Sequence, residues 1–172
     1  MDKVMTVVYA LRQGSILLGL KKVRLGKGLI TGPGGRQEKH ETIEQNARKE
    51  LRDETGLEAM VLKKVGIVII ANRRRSIRII LHYFIVTRSK GVLKKNSDEM
   101  AQLKWSKRIP YKKMWPSDRY LLPIFLADKK CIGHFHYSGQ KKRILKKYKL
   151  EKVDILPRKY NKALDKLPWL YP

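Results

Sequence analysis

Residues 32 to 59 read GPGGRQEKHETIEQNARKELRDETGLEA, and they concentrate the acids of a strongly basic chain. Gly32, Gly34 and Gly35 come first, and Glu50, Asp53 and Glu54 follow at spacings of three and four residues. On a helix that spacing projects all three carboxylates onto one side. Like charges so placed repel by about 0.2–0.5 kcal/mol per pair, and the arrangement calls for a counter-charge. Lys49 and Arg52 are neighbours in sequence but point to other faces. A divalent cation answers the need better, because hard oxygen ligands suit magnesium, with manganese as the alternative, and leave positions for water and phosphate oxygens. Glu41, just ahead of the run, reaches toward the same region. Metal ions that bridge phosphate oxygens neutralise charge that would repel an attacking water, and carboxylates position or deprotonate that water. The glycines let backbone approach a polyphosphate closely, and they equally suit a tight turn before a helix.

These groups need a helix to carry them and a sheet to carry the helix. Ile43, Ala47 and Leu51 recur at steps of four, after the glycines and before Gly56, which predicts one amphipathic helix over 42 to 55. The runs VMTVVYAL, SILLGL, AMVLKKVGIVII, IRIILHYFIV, AQLKWS and CIGHFHY are rich in β-branched and aromatic residues and are separated by turn-forming or charged residues. They predict strands. A second helix is expected over about 118 to 127, after Pro116 and Ser117, with Pro123 as a kink. Strands outnumber helices and the apolar runs are long, so the fold class is α/β or α+β with a mixed sheet covered on both faces.

The chain has 172 residues, the size of one domain, with 42% hydrophobic and 32% charged residues. Its single cysteine, Cys131, excludes an internal disulfide and predicts a reducing, cytoplasmic setting. No apolar run is long enough for a membrane-spanning helix, and Arg12 interrupts the N-terminal apolar run before it reads as a signal peptide. A net charge of +25 favours anionic partners, and its dense clusters are RRRSIR at 73 to 78 and KKRILKKYK at 141 to 149. From 154 onward the sequence loses period and gains prolines, so residues 1 to 153 are expected to form the domain and 154 to 172 a basic tail, docked or mobile. His82, His134 and His136 have no metal-ligand partners nearby, and the serines and Cys131 form no nucleophile-base motif.

Gly35, Glu41, and KELRDETGL at 49 to 57 fall at the spacing G-x5-E-x7-R-E-U-x-E-E-x-G-U, where U is apolar, and the stretch resembles the Nudix box. Gly35, Glu41, Glu50, Glu54 and Gly56 match identically, with Leu51 and Leu57 at the apolar positions. Lys49 stands where the family has arginine, keeping the charge without the bidentate fork, and Asp53 replaces a glutamate. The resemblance implies an α/β/α sandwich and metal-dependent hydrolysis of a nucleoside diphosphate linked to another moiety. It assigns Gly35, Glu50, Asp53, Glu54 and Glu99 to the metal, and Glu54, Glu50 and Glu99 to catalysis.

ILLGLKK, HETIE, LKKVG, SDEM and MWPSDRYLLPIFL are similar, in order, to stretches of the MutT-type branch of that family, which acts on oxidised purine nucleoside triphosphates. That similarity implies a base stacked on Trp115 and bonded at its edge by Asp118, with Ser117 where the branch has a second aspartate. It places Thr6, Lys21, Thr31, Gly34, Gly35, Ile70 and Met100 around the substrate, and it puts Leu25, Ile30 and Ile70 where the branch has aromatic walls. Leu and Ile give contact without stacking geometry. The expected function is a magnesium-dependent, monomeric pyrophosphatase of modified purine triphosphates that releases monophosphate and pyrophosphate. The basic clusters keep two rivals in view: hydrolysis of dinucleoside polyphosphates or RNA 5' ends, and a non-catalytic module that binds nucleic acid.

Overall fold

The computed structural model describes residues 2 to 71, 78 to 138 and 144 to 158. Strand β1 (Asp2–Arg12) turns back into β2 (Ser15–Lys21) through Gln13 and Gly14. Both turn residues are left-handed, at φ 48° and 72°, as a two-residue hairpin on twisted strands requires. A two-residue strand β3 (Ile30–Thr31) pairs with β2. After it come helix α1 (Ile43–Thr55), β4 (Leu57–Ala71), β5 (Arg78–Gly91), β6 (Met100–Ser106), helix α2 (Asp118–Leu126), β7 (Lys130–Ser138) and β8 (Ile144–Val153). The sheet runs β3-β2-β1-β5-β4-β7-β8, with β6 on β2. β1 lies parallel to β5 and β4 parallel to β7, and the other pairs are antiparallel, so the sheet is mixed as expected.

Strand alternation gives the sheet two apolar faces, and each helix covers one. Tyr9, Leu81, Tyr83 and Ile85 pack against Leu121, Leu122 and Phe125 of α2. Val8, Ala10, Phe84 and Val86 pack against Ile43, Ala47 and Leu51 of α1. The α/β/α sandwich follows. Helix α1 starts at a capping box, in which Gln45 N–H donates to Thr42 Oγ1 at 3.1 Å and Thr42 N–H donates to Gln45 Oε1 at 2.7 Å. It stops at Gly56, which is left-handed at φ 79° and donates its N–H to the Arg52 carbonyl. The helix is therefore fixed at both ends. Pro123 lies inside α2 without ending it.

The sequence reading missed β3 and β8. In β8 the expected basic cluster is a lysine-rich outer strand paired with β7. Lys141, Lys142 and Arg143 of that cluster, residues 73 to 77 of the other, and residues 159 to 172 of the tail lie outside the described residues. Of the tail, Leu156 packs with Val153 beside Ile67, Ile69, Ile80 and Ile132. Lys64 Nζ donates to the carbonyls of Pro157 at 3.0 Å and Arg158 at 3.1 Å. Among the described residues no helix is long and apolar enough to cross a membrane.

Candidate active site

The glycine loop runs along β1 almost as an extra strand: Thr6 N–H donates to the Gly35 carbonyl at 2.9 Å, and Val8 N–H to the Pro33 carbonyl at 2.8 Å. A Cβ on Gly34 would collide with the Thr6 carbonyl, and one on Gly35 would lie 2.5 Å from Glu50 Oε1. Only glycine allows β1, the loop and α1 to approach this closely.

Helix α1 brings Glu50 and Glu54 to that loop. Glu54 is buried; its Oε1 accepts from Lys21 Nζ at 2.7 Å and its Oε2 from the Gly34 N–H at 2.9 Å. Lys21 Nζ donates also to Glu99 Oε2 at 2.9 Å and to the Gly34 carbonyl at 3.2 Å. Arg24, itself left-handed at φ 57°, holds Glu99 from outside at 2.9 Å. Burial works against the charge on Lys21, but Glu54 and Glu99 outweigh it and hold the ammonium protonated. Burial raises the Glu54 carboxyl in spite of Lys21. On Glu99 burial is overcome by Lys21 and Arg24, and its carboxyl is held low. Glu50 has no such partner, and burial followed by the charge of Glu54 pushes its carboxyl up to about 7.

Glu41 does not join this group. It latches the turn before the helix, accepting from Glu38 N–H at 2.7 Å, Asn46 Nδ2 at 2.9 Å and Lys49 Nζ at 3.2 Å. Burial raises its carboxyl, and those three donors together lower it below the ordinary range. Asp53 is also apart. Its carboxylate is 56% exposed and lies 3.3 Å from Arg52, because three residues from Glu50 the helix has turned past the loop. Of Gly35, expected at the metal, the carbonyl accepts from the Thr6 N–H, and the loop carbonyl that accepts from Lys21 is that of Gly34.

A narrow pocket of about 50 Å³ adjoins the carboxylates and shares Thr6, Lys21 and Gly34 with them. Its other walls include Leu25, Thr31, Ile70, Trp115, Ser117 and Asp118, so most of the expected substrate residues do converge. Trp115 stands edge-on to Tyr137, whose hydroxyl accepts from the Ser117 N–H at 3.1 Å. Asp118 is 1% exposed and its Oδ2 has no partner. Burial, only partly opposed by the Trp115 backbone N–H, pushes its carboxyl up to about 7.

Two expectations about the pocket need correction. Met100 is fully buried among Leu17, Leu51 and Leu103 on the α1 side, since strand alternation that turns Glu99 to the site turns its neighbour into the core. Ile30 faces away from the pocket for the same reason, next to Thr31. Thr6 lines the pocket, but its hydroxyl is committed to Asn46 Oδ1 at 2.6 Å. Missed entirely were Met5, Leu81 and Tyr83 on the pocket wall and Asn46 behind it. The one signal for Asn46 was an amide within the inward stripe of the helix.

The NUDIX-domain family model matches residues 2 to 125. The chain belongs to the Nudix family. Two relatives named oxidized purine nucleoside triphosphate hydrolase are similar over most of their length. That of Danio rerio is 31% identical over 90% of this chain and 98% of its own. That of Mus musculus is 32% identical over 89% and 97%. Among solved structures, a MutT protein from Bacillus halodurans superposes with a TM-score of 0.74 at 26% identity, covering 87% of this chain and 97% of its own. The E. coli ORF135 protein gives 0.59 at 28% identity, over 73% and 89%.

Nudix hydrolases work with divalent metals, and the donors present suit one. Among the described residues no three acidic or imidazole side chains are already gathered as a ligand set. Lys21 stands between Glu54 and Glu99, and Glu50 has no cationic hydrogen-bond partner. Hard oxygens from Glu50, Glu54, Glu99 and the Gly34 carbonyl surround a deficit of positive charge at Glu50, which a divalent cation would supply.

Proposed function

We propose that this chain is a magnesium-dependent pyrophosphatase of modified purine nucleoside triphosphates, releasing the monophosphate and pyrophosphate. The observation that carries the reading is the shared wall: Thr6, Lys21 and Gly34 belong at once to the carboxylate site and to a pocket with an indole and a buried, unpartnered carboxyl. A triphosphate laid across that wall has its base at Trp115 and its phosphates at Lys21 and the carboxylates. Glu50, Glu54, Glu99 and the Gly34 carbonyl would hold magnesium, which when bound offsets phosphate charge and orients the chain for attack.

The residues of the chain do the rest. Lys21 brings a fixed positive charge to the phosphates. Glu54, desolvated and pinned by Gly34, or Glu99 accepts the proton of the attacking water. At the other end Trp115 offers a stacking face, and Asp118, at about 7, is present in both protonation states near neutrality. A neutral carboxyl donates to a ring nitrogen or carbonyl, and an ionised one accepts from an amine. Ser117 and Thr31 read the base with hydroxyls, and that change sets which modified purine is preferred.

The relatives named oxidized purine nucleoside triphosphate hydrolase support this reading. The test is product analysis, with and without magnesium, on oxidised, methylated and normal purine triphosphates, a dinucleoside tetraphosphate and a 5'-triphosphate RNA. Magnesium-dependent release of pyrophosphate from a modified purine triphosphate is the expected result. Turnover of the dinucleotide or RNA alone would overturn the substrate assignment and give the basic surface the leading part.

A further inference from the structure

Lys49 has one ammonium, and it reaches Glu41. The neighbouring Glu50 receives no bond from it, although Glu50 sits against the glycine loop with its carboxylate desolvated. The side chain in contact with both carboxylates is Asn46, whose two amide hydrogens go to Glu41 and the Arg36 carbonyl. It is fully buried one turn before Glu50, and its Nδ2 donates to Glu41 Oε1 at 2.9 Å and to the Arg36 carbonyl at 3.1 Å, and reaches Glu50 Oε1 at 3.5 Å. Its Oδ1 accepts from Thr6 Oγ1 at 2.6 Å. A single amide thus joins β1, the end of the glycine loop, the turn before the helix and the helix itself. Asparagine is a poorer helix former than alanine, so helix formation alone does not account for it.

We propose that Asn46 is a positioning residue for Glu50 and the glycine loop, and that Asn46 with Lys49 divides between two side chains what one forked guanidinium at position 49 would do. The geometry has a direct corollary. An arginine at 49 carries donors in a rigid fork that spans two carboxylates. Asn46 is then required only while position 49 is lysine.

This inference rests on the reading of the site given above, and the experiment separates the two. Parent, Asn46→Ala, Lys49→Arg and the double variant are compared by kcat and KM on a modified purine triphosphate, and by Mn²⁺ affinity from electron paramagnetic resonance without substrate. Asn46→Ala is expected to lower kcat and weaken Mn²⁺ binding by about tenfold to a hundredfold, the usual cost of removing a partner that orients a metal ligand. KM should change little, because the interaction is not with the substrate. Lys49→Arg should restore most of both losses in the double variant. A variant that melts earlier but keeps the kcat and Mn²⁺ affinity of the parent would overturn the proposal, as would a double variant no better than Asn46→Ala. If Asn46→Ala does not fold, Asn46→Ser, too short to reach Glu41, takes its place in the same comparison. If the parent hydrolyses no triphosphate the functional reading fails, while the Mn²⁺ affinities still decide the role of Asn46. A parent that binds no Mn²⁺ overturns both.

Discussion

The two ends of the site handle buried acid in opposite ways. At the carboxylate end Glu54 and Glu99 are balanced by Lys21 and Arg24, and Glu41 by Lys49 and Asn46. At the pocket end Asp118 is more deeply buried and has no cation among its partners in the described residues, so its charge is offset by a raised proton affinity instead. Charge held by fixed cations suits a group that must stay ionised against phosphate and metal. Charge left to a proton suits a group that must present a donor or an acceptor to a base. Glu50 stands between these cases, desolvated like Asp118 yet placed beside Glu54 and Glu99.

The contrast can be broken most severely at Glu54. Glu54→Gln keeps the shape and removes the charge facing Lys21, and kcat should fall by about two to three orders of magnitude, the scale of losing one charge-stabilising group in an enclosed site. Steady-state kinetics on folded protein would show it, and an unchanged kcat would refute the assignment of Glu54. Next in size is Asp118→Asn. It fixes one hydrogen-bonding pattern at the base, and should lower kcat/KM on the preferred modified purine by about tenfold to a hundredfold while altering the ranking of bases. Kinetics on the purine panel would measure it.

Asp118 and Glu50 also predict how stability depends on pH. Both carboxyls are raised to about 7, so the folded chain retains protons that the unfolded chain has released. Their contribution is therefore fully present below the ordinary carboxyl range and is lost as pH rises through about 7. Without metal, the Tm should fall over that interval, and Asp118→Asn should flatten the fall; scanning calorimetry from about pH 4 to about pH 8 spans the ordinary and the shifted carboxyl values and measures it. Metal should reduce the Glu50 part by supplying the missing charge. The smallest effect is expected at Asp53, where the carboxylate is exposed beside Arg52. Asp53→Asn should cost about fivefold in kcat at most, in keeping with surface ion pairs, and a loss matching that of Glu54→Gln would show that Asp53 turns inward when metal binds.

The carboxylate end was legible in the sequence because its pieces are local. The apolar steps at Ile43, Ala47 and Leu51 and the stop at Gly56 mark the helix, and helix geometry then fixes Glu50 and Glu54. The pocket end was only partly legible. Trp115 and Asp118 were recognised by likeness to a family, but Met5, Leu81 and Tyr83 depend on register: Met5 pairs with Leu81 and Val7 with Tyr83 between parallel strands far apart in the chain. No local pattern encodes that pairing. Asn46 was missed for a related reason, since its partner Thr6 is forty residues away. Strand β8 was hidden by its own lysines, which break the apolar alternation that marks a strand, and β3 is too short to show any period.

Those lysines bear on how the molecule meets its own kind. Among the described residues β8 is the outer strand of the sheet, and Lys146 and Lys152 stand exposed along it. An open strand invites a second copy to add its own, and like charges set along that margin make the approach unfavourable. The lysines of β8 thus place positive charge along an edge of the sheet whose backbone would otherwise be open to pairing.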